Sequence, residues 1–293
     1  MTEQIIYCGP NKISGILTSG NENGPSTKIA LLLNSGMIHK VGPNRFYVEL
    51  ARRLCLEGVD IFRFDFSGIG DHQNSMLKIS FEELSIMELH DVIQHFHSVG
   101  YSKFIIIGMC TGGDVAFKYA SQYQGISSVI AINANLFPRN LIQAYRSQIV
   151  MKLRTRYYKK YLFDLSRWTK LIRGKSQILK FRNILAAIQG LFFRKFSQQN
   201  TVQDSANIEQ NNQDICNYWI SILQNKVKVK LIYAEGSGTL DAYNLISSPV
   251  LKKIDHDKLV NQEIIYDSDH VFMLDHSKES LTNSIVCWTK EIF

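Results

Sequence analysis

The sequence predicts an α/β fold: a mostly parallel, twisted sheet with helices on both faces, interrupted once by a helical insertion. Three observations predict it. Short apolar, β-branched runs such as Phe104 to Ile107 and Ile126 to Ile132 alternate with longer amphipathic segments, the pattern of a buried parallel sheet. Loops of unusual composition, NSGMIHK, FSGIGD, GMCTGG, AEGSGTLD and DSDH, all follow the ends of those runs, where open α/β sheets bind ligands. The alternation stops near residue 136 and resumes near 226, which divides the chain into a core from 1 to 135 and 226 to 293 and an insertion from 136 to 225.

In order, residues 4 to 8 (QIIYC) and 13 to 18 (ISGILT) read as two strands around a Gly9-Pro10-Asn11 turn. Ile29 to Leu33 is a buried strand closing at Asn34-Ser35-Gly36. Pro43 and Asn44 open a helix that Gly58 stops. Residues 60 to 66 (DIFRFDF) form a strand with charge tucked into it, followed by the Gly-rich loop 67 to 71. Residues 81 to 98 repeat apolar positions at helical spacing. The 104–107 strand runs through Gly108 to Gly113 into a helix, and Ile126 to Ile132 is the next strand. Beyond the insertion come a short helix (ICNYWISIL), strands at 227 to 233 and 263 to 266, and a closing helix from Leu281 to Phe293. The Gln/Asn-rich stretch QQNTVQDSANIEQNNQD before the short helix reads as loop.

Composition narrows the class. At 293 residues and 45% hydrophobic the chain can bury a full core. The net charge of +7 is unevenly spread. From Arg139 to Lys195 there are 15 Lys and Arg against one acid, Asp164, a balance of +14; elsewhere 18 basic residues face 25 acidic ones, a balance of −7. Five scattered cysteines form no C-x-x-C pair, so neither a zinc site nor a disulfide framework is expected, and no metal ligand set is assigned. No apolar run reaches about 18 residues and the first dozen residues lack a signal-peptide pattern, so a reducing cytoplasm is the expected location.

The chemistry concentrates in KFIIIGMCTGGDVAFKYA, residues 103 to 120. Strand, Gly-flanked turn and helix are the context of a G-x-S-x-G nucleophile elbow, here with Cys110 in the central place. A side chain at Gly108 or Gly112 would crowd neighbouring backbone. A thiol there faces the positive end of the following helix, which favours its thiolate. The plain alternative is a small buried hydrophobe. The Thr111 N–H would form one arm of an oxyanion hole. The other should come from the loop after Leu33, where Gly36 permits close approach and Met37 or Ile38 could turn an N–H inward; His39 lines the pocket or faces solvent. A cysteine nucleophile needs a base, and the base an orienting acid, in the chain order nucleophile, acid, histidine. His270, directly after IIYDSD, fits the base; His256 sits in a polar linker and His276 at the start of the last helix. For the acid, Asp241 is favoured over Glu235, with helix capping as the plain alternative for Asp241. Asp114 reads equally well as a helix N-terminal charge.

These residues resemble the α/β-hydrolase superfamily and, within it, the serine-aminopeptidase-like branch. NSGMIHKVGPNRFYVELARRL, VDIFRFDFSGIGD and GMCTGG are similar to bacterial hydrolases found beside exosortase and natural-product gene clusters, over roughly residues 1–135 and 226–293. The resemblance implies an α/β-hydrolase fold with a helical cap, Cys110 as nucleophile and His270 as base. Lys40 stands where those hydrolases carry arginine. Their acid loop often reads E-G-D-P-G-L-D, so Ser237 replaces the first aspartate and Asp241 matches the second.

Three functions follow as expectations. The first is an acyl-transfer enzyme, thioesterase or acyltransferase, with no cofactor of its own, acting on an acyl group borne by coenzyme A or by the phosphopantetheine of an acidic carrier protein drawn to the basic insertion. The second is a carboxylester or lactone hydrolase. The third, from another class, is a non-catalytic or membrane-surface binding protein that uses the basic aromatic segment, where Tyr145, Tyr157, Tyr158, Tyr161, Phe163 and Trp168 interleave with Lys and Arg. No nucleic-acid-reading motif is present.

Overall fold

A computed structural model of the chain describes residues 1–20, 26–72, 78–137 and 203–293, together with 141, 145 and 148–152. Eight strands form one sheet: β1 (Thr2–Cys8), β2 (Ile13–Ser19), β3 (Lys28–Leu33), β4 (Asp60–Phe64), β5 (Lys103–Met109), β6 (Ile126–Ile132), β7 (Lys228–Ala234) and β8 (Val260–Ile265). Their spatial order is β1-β2-β4-β3-β5-β6-β7-β8. The β1–β2 and β2–β4 pairings are antiparallel and the other five are parallel. The strand order reverses between β4, β3 and β5, so the loops after β3 and β5 flank the switch point, where a crevice forms beyond the strand ends.

Among the described residues the α-helices are α1 (Phe46–Leu56), α2 (Phe81–Ser98), α3 (Thr111–Gln122), α4 (Gln203–Gln224), α5 (Gly238–Leu245), α6 (Ser247–Leu251) and α7 (Asp275–Ile292). One face of the sheet packs on α1 and α7: Leu32, Ile105, Ile107, Ile130 and Ile132 meet Tyr47, Leu50 and Leu54 of α1 and Leu281, Ile285 and Trp288 of α7 in one buried cluster. Each such leucine or isoleucine contributes roughly 1.5–3 kcal/mol by leaving water. Helix α2 starts where a capping box stops its fraying. Ser80 Oγ accepts from Glu83 N at 3.2 Å while Glu83 Oε2 accepts from Ser80 N at 3.0 Å. The charges inside the DIFRFDF run are paired: Tyr101 donates to Asp60 at 2.7 Å and Arg63 lies 3.5 Å from Glu3.

Three sequence expectations shift. The Gln/Asn-rich stretch is helical from Gln203, because it continues without a break into the turns whose Ile215, Trp219 and Ile222 are buried; only composition argued for a loop. Helix α7 begins at Asp275, six residues ahead of its first buried leucine, since its opening turns are polar. The helix expected from Pro43 starts as a 3₁₀ turn over Pro43–Arg45, with Asn44 and Arg45 at positive φ, and becomes α-helical at Phe46.

The chain divides into two compact units, residues 1–137 with 215–293, and residues 138–214. The sheet and the site described below belong to the first. The basic aromatic stretch from 153 to 202, expected as the main part of a cap, lies outside the described residues. Among the described residues no helix is long and apolar enough to cross a membrane.

Candidate active site

Strand β5 delivers Cys110 to the carboxyl edge of the sheet. The residue joins β5 to α3 with φ 55° and ψ −120°, a conformation that costs a non-glycine residue about 1–3 kcal/mol and persists only when its surroundings enforce it. They do so on every side. The Cys110 N–H donates to Ile132 O at 2.8 Å, and its carbonyl accepts from Gly113 N at 3.0 Å and Asp114 N at 3.2 Å. Just before it, the Met109 N–H donates to the Tyr47 hydroxyl at 3.2 Å. Burial raises the Tyr47 phenol above its ordinary range, Cys110 acts in the same direction, and the hydrogen bond from Met109 opposes both, so the group beneath the elbow stays an uncharged phenol. A Cβ at Gly108 would overlap the Gly112 backbone, and one at Gly112 the carbonyl oxygen of Asn34. The elbow therefore needs its glycines for room. Cys110 itself is partly exposed, which leaves its thiol within reach of solvent.

His270 comes from the loop between β8 and α7. Its carbonyl accepts from Asn133 Nδ2 at 2.8 Å, and its Nδ1 lies 2.8 Å from Ser237 Oγ. Burial lowers its pKa from the ordinary 6.5, with Asp269 pulling the other way, so the imidazole is neutral at pH 7 and can accept a proton. Ser237 is 1% exposed and is the N-cap of α5, where its Oγ accepts from Thr239 N at 3.3 Å and shares a hydrogen with Thr239 Oγ1 at 2.5 Å. Asn133 joins these pieces. It ends β6 at φ 47°, fully buried; its N–H donates to Ile232 O at 2.8 Å and its Oδ1 accepts from Ala234 N at 2.8 Å. One side chain thus ties the ends of β6 and β7 to the histidine loop.

The loop after β3 also meets the elbow. Gly36, at φ 60°, donates its N–H to Thr111 Oγ1 at 3.0 Å. The Ile38 N–H is spent on Ser35 O at 3.1 Å, whereas among the described residues no acceptor meets the Met37 N–H. Thr111 is the first residue of α3, and its N–H is one of the amides a helix leaves without an intrahelical partner. Met37 is 78% exposed and His39 is exposed as well. The loop is anchored from below by Asp65, which is fully buried just past β4. Asp65 accepts from Asn34 Nδ2 at 2.8 Å, Lys40 N at 2.6 Å and Lys40 Nζ at 2.8 Å, and Lys40 Nζ also reaches Asp71. Asn34 Oδ1 in turn accepts from Phe66 N at 2.8 Å.

The remaining candidates are placed as follows. Asp241 lies in the first turn of α5, one turn beyond Ser237. Glu235 Oε2 accepts from Asp267 N at 3.1 Å and braces the histidine loop. Asp114 Oδ1 accepts from Asn135 N at 2.8 Å and Leu136 N at 2.9 Å, a structural task at the end of β6. His256 Nδ1 lies 2.9 Å from Ile254 O, and His276 Nε2 lies 3.2 Å from Asp267 O. Sequence reasoning missed Tyr47, Asn133 and Asp65. The available signal was an asparagine directly after a buried strand, at Asn34 and again at Asn133, where a side-chain amide can replace the next rung of the ladder.

The family described as serine aminopeptidase, S33, matches residues 25–211. No curated protein sequence matches the chain. Among solved structures, the proline iminopeptidase of Mycobacterium smegmatis is similar at 16% identity and a TM-score of 0.58, over 99% of this chain and 98% of that one. An esterase of Pyrococcus furiosus, Pf2001, is similar at 15% identity and 0.58, over 99% and 91%. The α/β hydrolase GrgF of a Penicillium species is similar at 14% identity and 0.59, over 99% of each chain. At these identities the likeness speaks for the fold, which is that of the α/β hydrolases. With close to two thirds of its length matched, the chain belongs to the S33 serine aminopeptidase family of hydrolases.

Proposed function

We propose that the protein is an acyl-transfer enzyme that forms a thioester acyl-enzyme on Cys110, taking its acyl group from a thioester carried by coenzyme A or by a phosphopantetheine-bearing carrier protein. The observation that carries this is a cysteine, rather than a serine, held at φ 55° in a nucleophile elbow. His270 Nε2 takes the Cys110 proton. The thiolate adds to the substrate carbonyl, and the N–H groups of Thr111 and Met37 receive the developing oxyanion. Collapse expels the carrier thiolate, which recovers the proton from the imidazolium and leaves the acyl group on Cys110. An acceptor then repeats the sequence in reverse: it loses its proton to His270, attacks the acyl-enzyme and frees the thiol.

Gly36, Ile38 and His39 belong to the wall of the acyl pocket. A thiol ionises far more readily than a hydroxyl and needs less from a third group, so Cys110 and His270 carry the reaction; Asp241 is the acid that spacing favours, while the group 2.8 Å from His270 Nδ1 is Ser237 Oγ. The basic segment from 139 to 195 supports an anionic partner, coenzyme A or an acidic carrier protein, steered by its charge of +14. A carboxylester hydrolase is supported equally by the fold and family, and an esterase stands among the similar structures. In that case water is the acceptor and the same residues act.

The test is intact-mass detection of acylation, offering acetyl- and octanoyl-coenzyme A and p-nitrophenyl acetate to the wild type and to Cys110→Ala. An adduct from the thioesters that maps to Cys110 and is absent from C110A is the expected result. Acylation by the ester alone would support the esterase, and no adduct together with no turnover of any donor would end both.

A further inference from the structure

The imidazole of His270 is held by a hydroxyl at the position where the resembled hydrolases place a carboxylate. We propose that Ser237 is the positioning residue for His270, and that Cys110 and Ser237 are a matched pair in which the acidity of the thiol makes a carboxylate at 237 dispensable. This rests on Cys110 and His270 acting as nucleophile and base.

The hydroxyl is in a defined place. Its residue is buried, its backbone N–H donates to Ala234 O at 3.0 Å, and Gly236 before it donates to Ser268 O at 2.9 Å. A serine hydroxyl offers one hydrogen and two acceptor lone pairs. One assignment satisfies His270 and both groups of Thr239 together. Oγ accepts from Thr239 N and from His270 Nδ1–H, and gives its own hydrogen to Thr239 Oγ1. Nε2 is then left with its lone pair, the state that receives the Cys110 proton.

What a hydroxyl cannot do is offset the positive charge of the imidazolium. For a serine nucleophile that deficit is severe: neutralising the triad carboxylate in a serine protease lowers kcat about 10⁴-fold. A free thiol, with a pKa of about 8.5, lies close enough to imidazole for the proton to move without a fixed counter-charge. Cysteine at 110 and serine at 237 are therefore chemically consistent, and serine at both positions would not be. The charged group that acts on the imidazole is Asp269 in its own loop, while Asp241 stands in the first turn of the helix that Ser237 caps.

The experiment combines single-turnover acylation by octanoyl-coenzyme A across pH with ¹⁵N NMR titration of His270, in the wild type, S237A, S237T, S237D, D241N, C110S and C110S/S237D. Ser237→Ala is expected to slow acylation about 10²-fold, the scale of an ill-oriented general base, and to alter the Nδ1 signal, with S237T restoring both. Ser237→Asp should raise the midpoint of the imidazole titration. Cys110→Ser should fall by about 10⁴-fold, and C110S/S237D should recover at least about tenfold over C110S. The inference is overturned if S237A keeps the wild-type rate, pH profile and Nδ1 signal. It is also overturned if D241N alone reproduces the losses expected of S237A, or if the double variant stays at the level of C110S although S237D has raised the imidazole midpoint. If no donor acylates the wild type, the proposed function fails, and the Nδ1 signal of S237A still decides whether Ser237 holds the ring.

Discussion

Asn133→Ala should be among the most damaging substitutions that leave every reacting group in place. Asn133 is fully buried and satisfies two backbone groups that the β6–β7 pairing does not reach, the Ala234 N–H and the His270 carbonyl, each at 2.8 Å. Alanine leaves both without these partners inside protein, at about 1–3 kcal/mol each. It also keeps φ at 47°, a left-handed conformation that asparagine tolerates and alanine resists by roughly 1–2 kcal/mol. The total is roughly 3–8 kcal/mol, a large share of the stability of an ordinary domain. Urea unfolding followed by the fluorescence of the buried Trp219 and Trp288 measures it. Asn133→Asp separates the two bonds: it still accepts from Ala234 but turns an oxygen toward the His270 carbonyl. N133D should slow acylation more than its loss of stability alone accounts for. A loss below about 1 kcal/mol in N133A would refute the brace between β6, β7 and the histidine loop.

Three further outcomes follow from the same geometry. Because burial holds the His270 pKa below 6.5, acylation should rise with pH along an acidic limb whose midpoint lies below 6.5, and a midpoint above 7 in kcat/KM would contradict it. The sign for stability agrees: between the two pKa values the unfolded chain binds the extra proton, so stability is lost as pH falls below about 6.5, measurable as a falling urea midpoint. Lys40→Met strips the buried Asp65 of its cation and should cost about 3 kcal/mol in the same unfolding assay, whereas Lys40→Arg should cost far less; equal losses would show that the charge pairing is unimportant. Gly112→Ala drives a Cβ into the Asn34 carbonyl, which is backbone and cannot rotate aside, so its melting midpoint should fall with a loss of about 3 kcal/mol or more; wild-type melting would mean the elbow has slack.

Much of this was legible in one dimension. The buried strands announced themselves as β-branched runs, and the observed β3, β5 and β6 overlap them within a residue or two. The elbow was legible because three glycines and a cysteine, set between a strand and a helix, fit a sharp turn and little else. Helix α4 was not, since its first turns are polar and only the buried stripe at its far end reveals it. The lysine at position 40 was visible only as a replacement for arginine; that it serves a fully buried Asp65 depends on β3 and β4 lying side by side, which no local pattern states.

The sequence by itself determined the layered fold, the elbow with Cys110 at its tip and the presence of a histidine after the last strand, because periodicity and glycine placement are local properties of a chain. Only the tertiary structure decided what that histidine touches. Ser237 is 33 residues from His270 and Asn133 is 137 away, and they meet it because β6, β7 and β8 pair in parallel register and end at one edge. Spacing alone favoured Asp241, whereas the hydrogen bond at Nδ1 goes to the residue one helical turn earlier. A turn of helix is about 5.4 Å, nearly twice the length of a hydrogen bond, so the choice between the two lies in the start of α5 and in no motif.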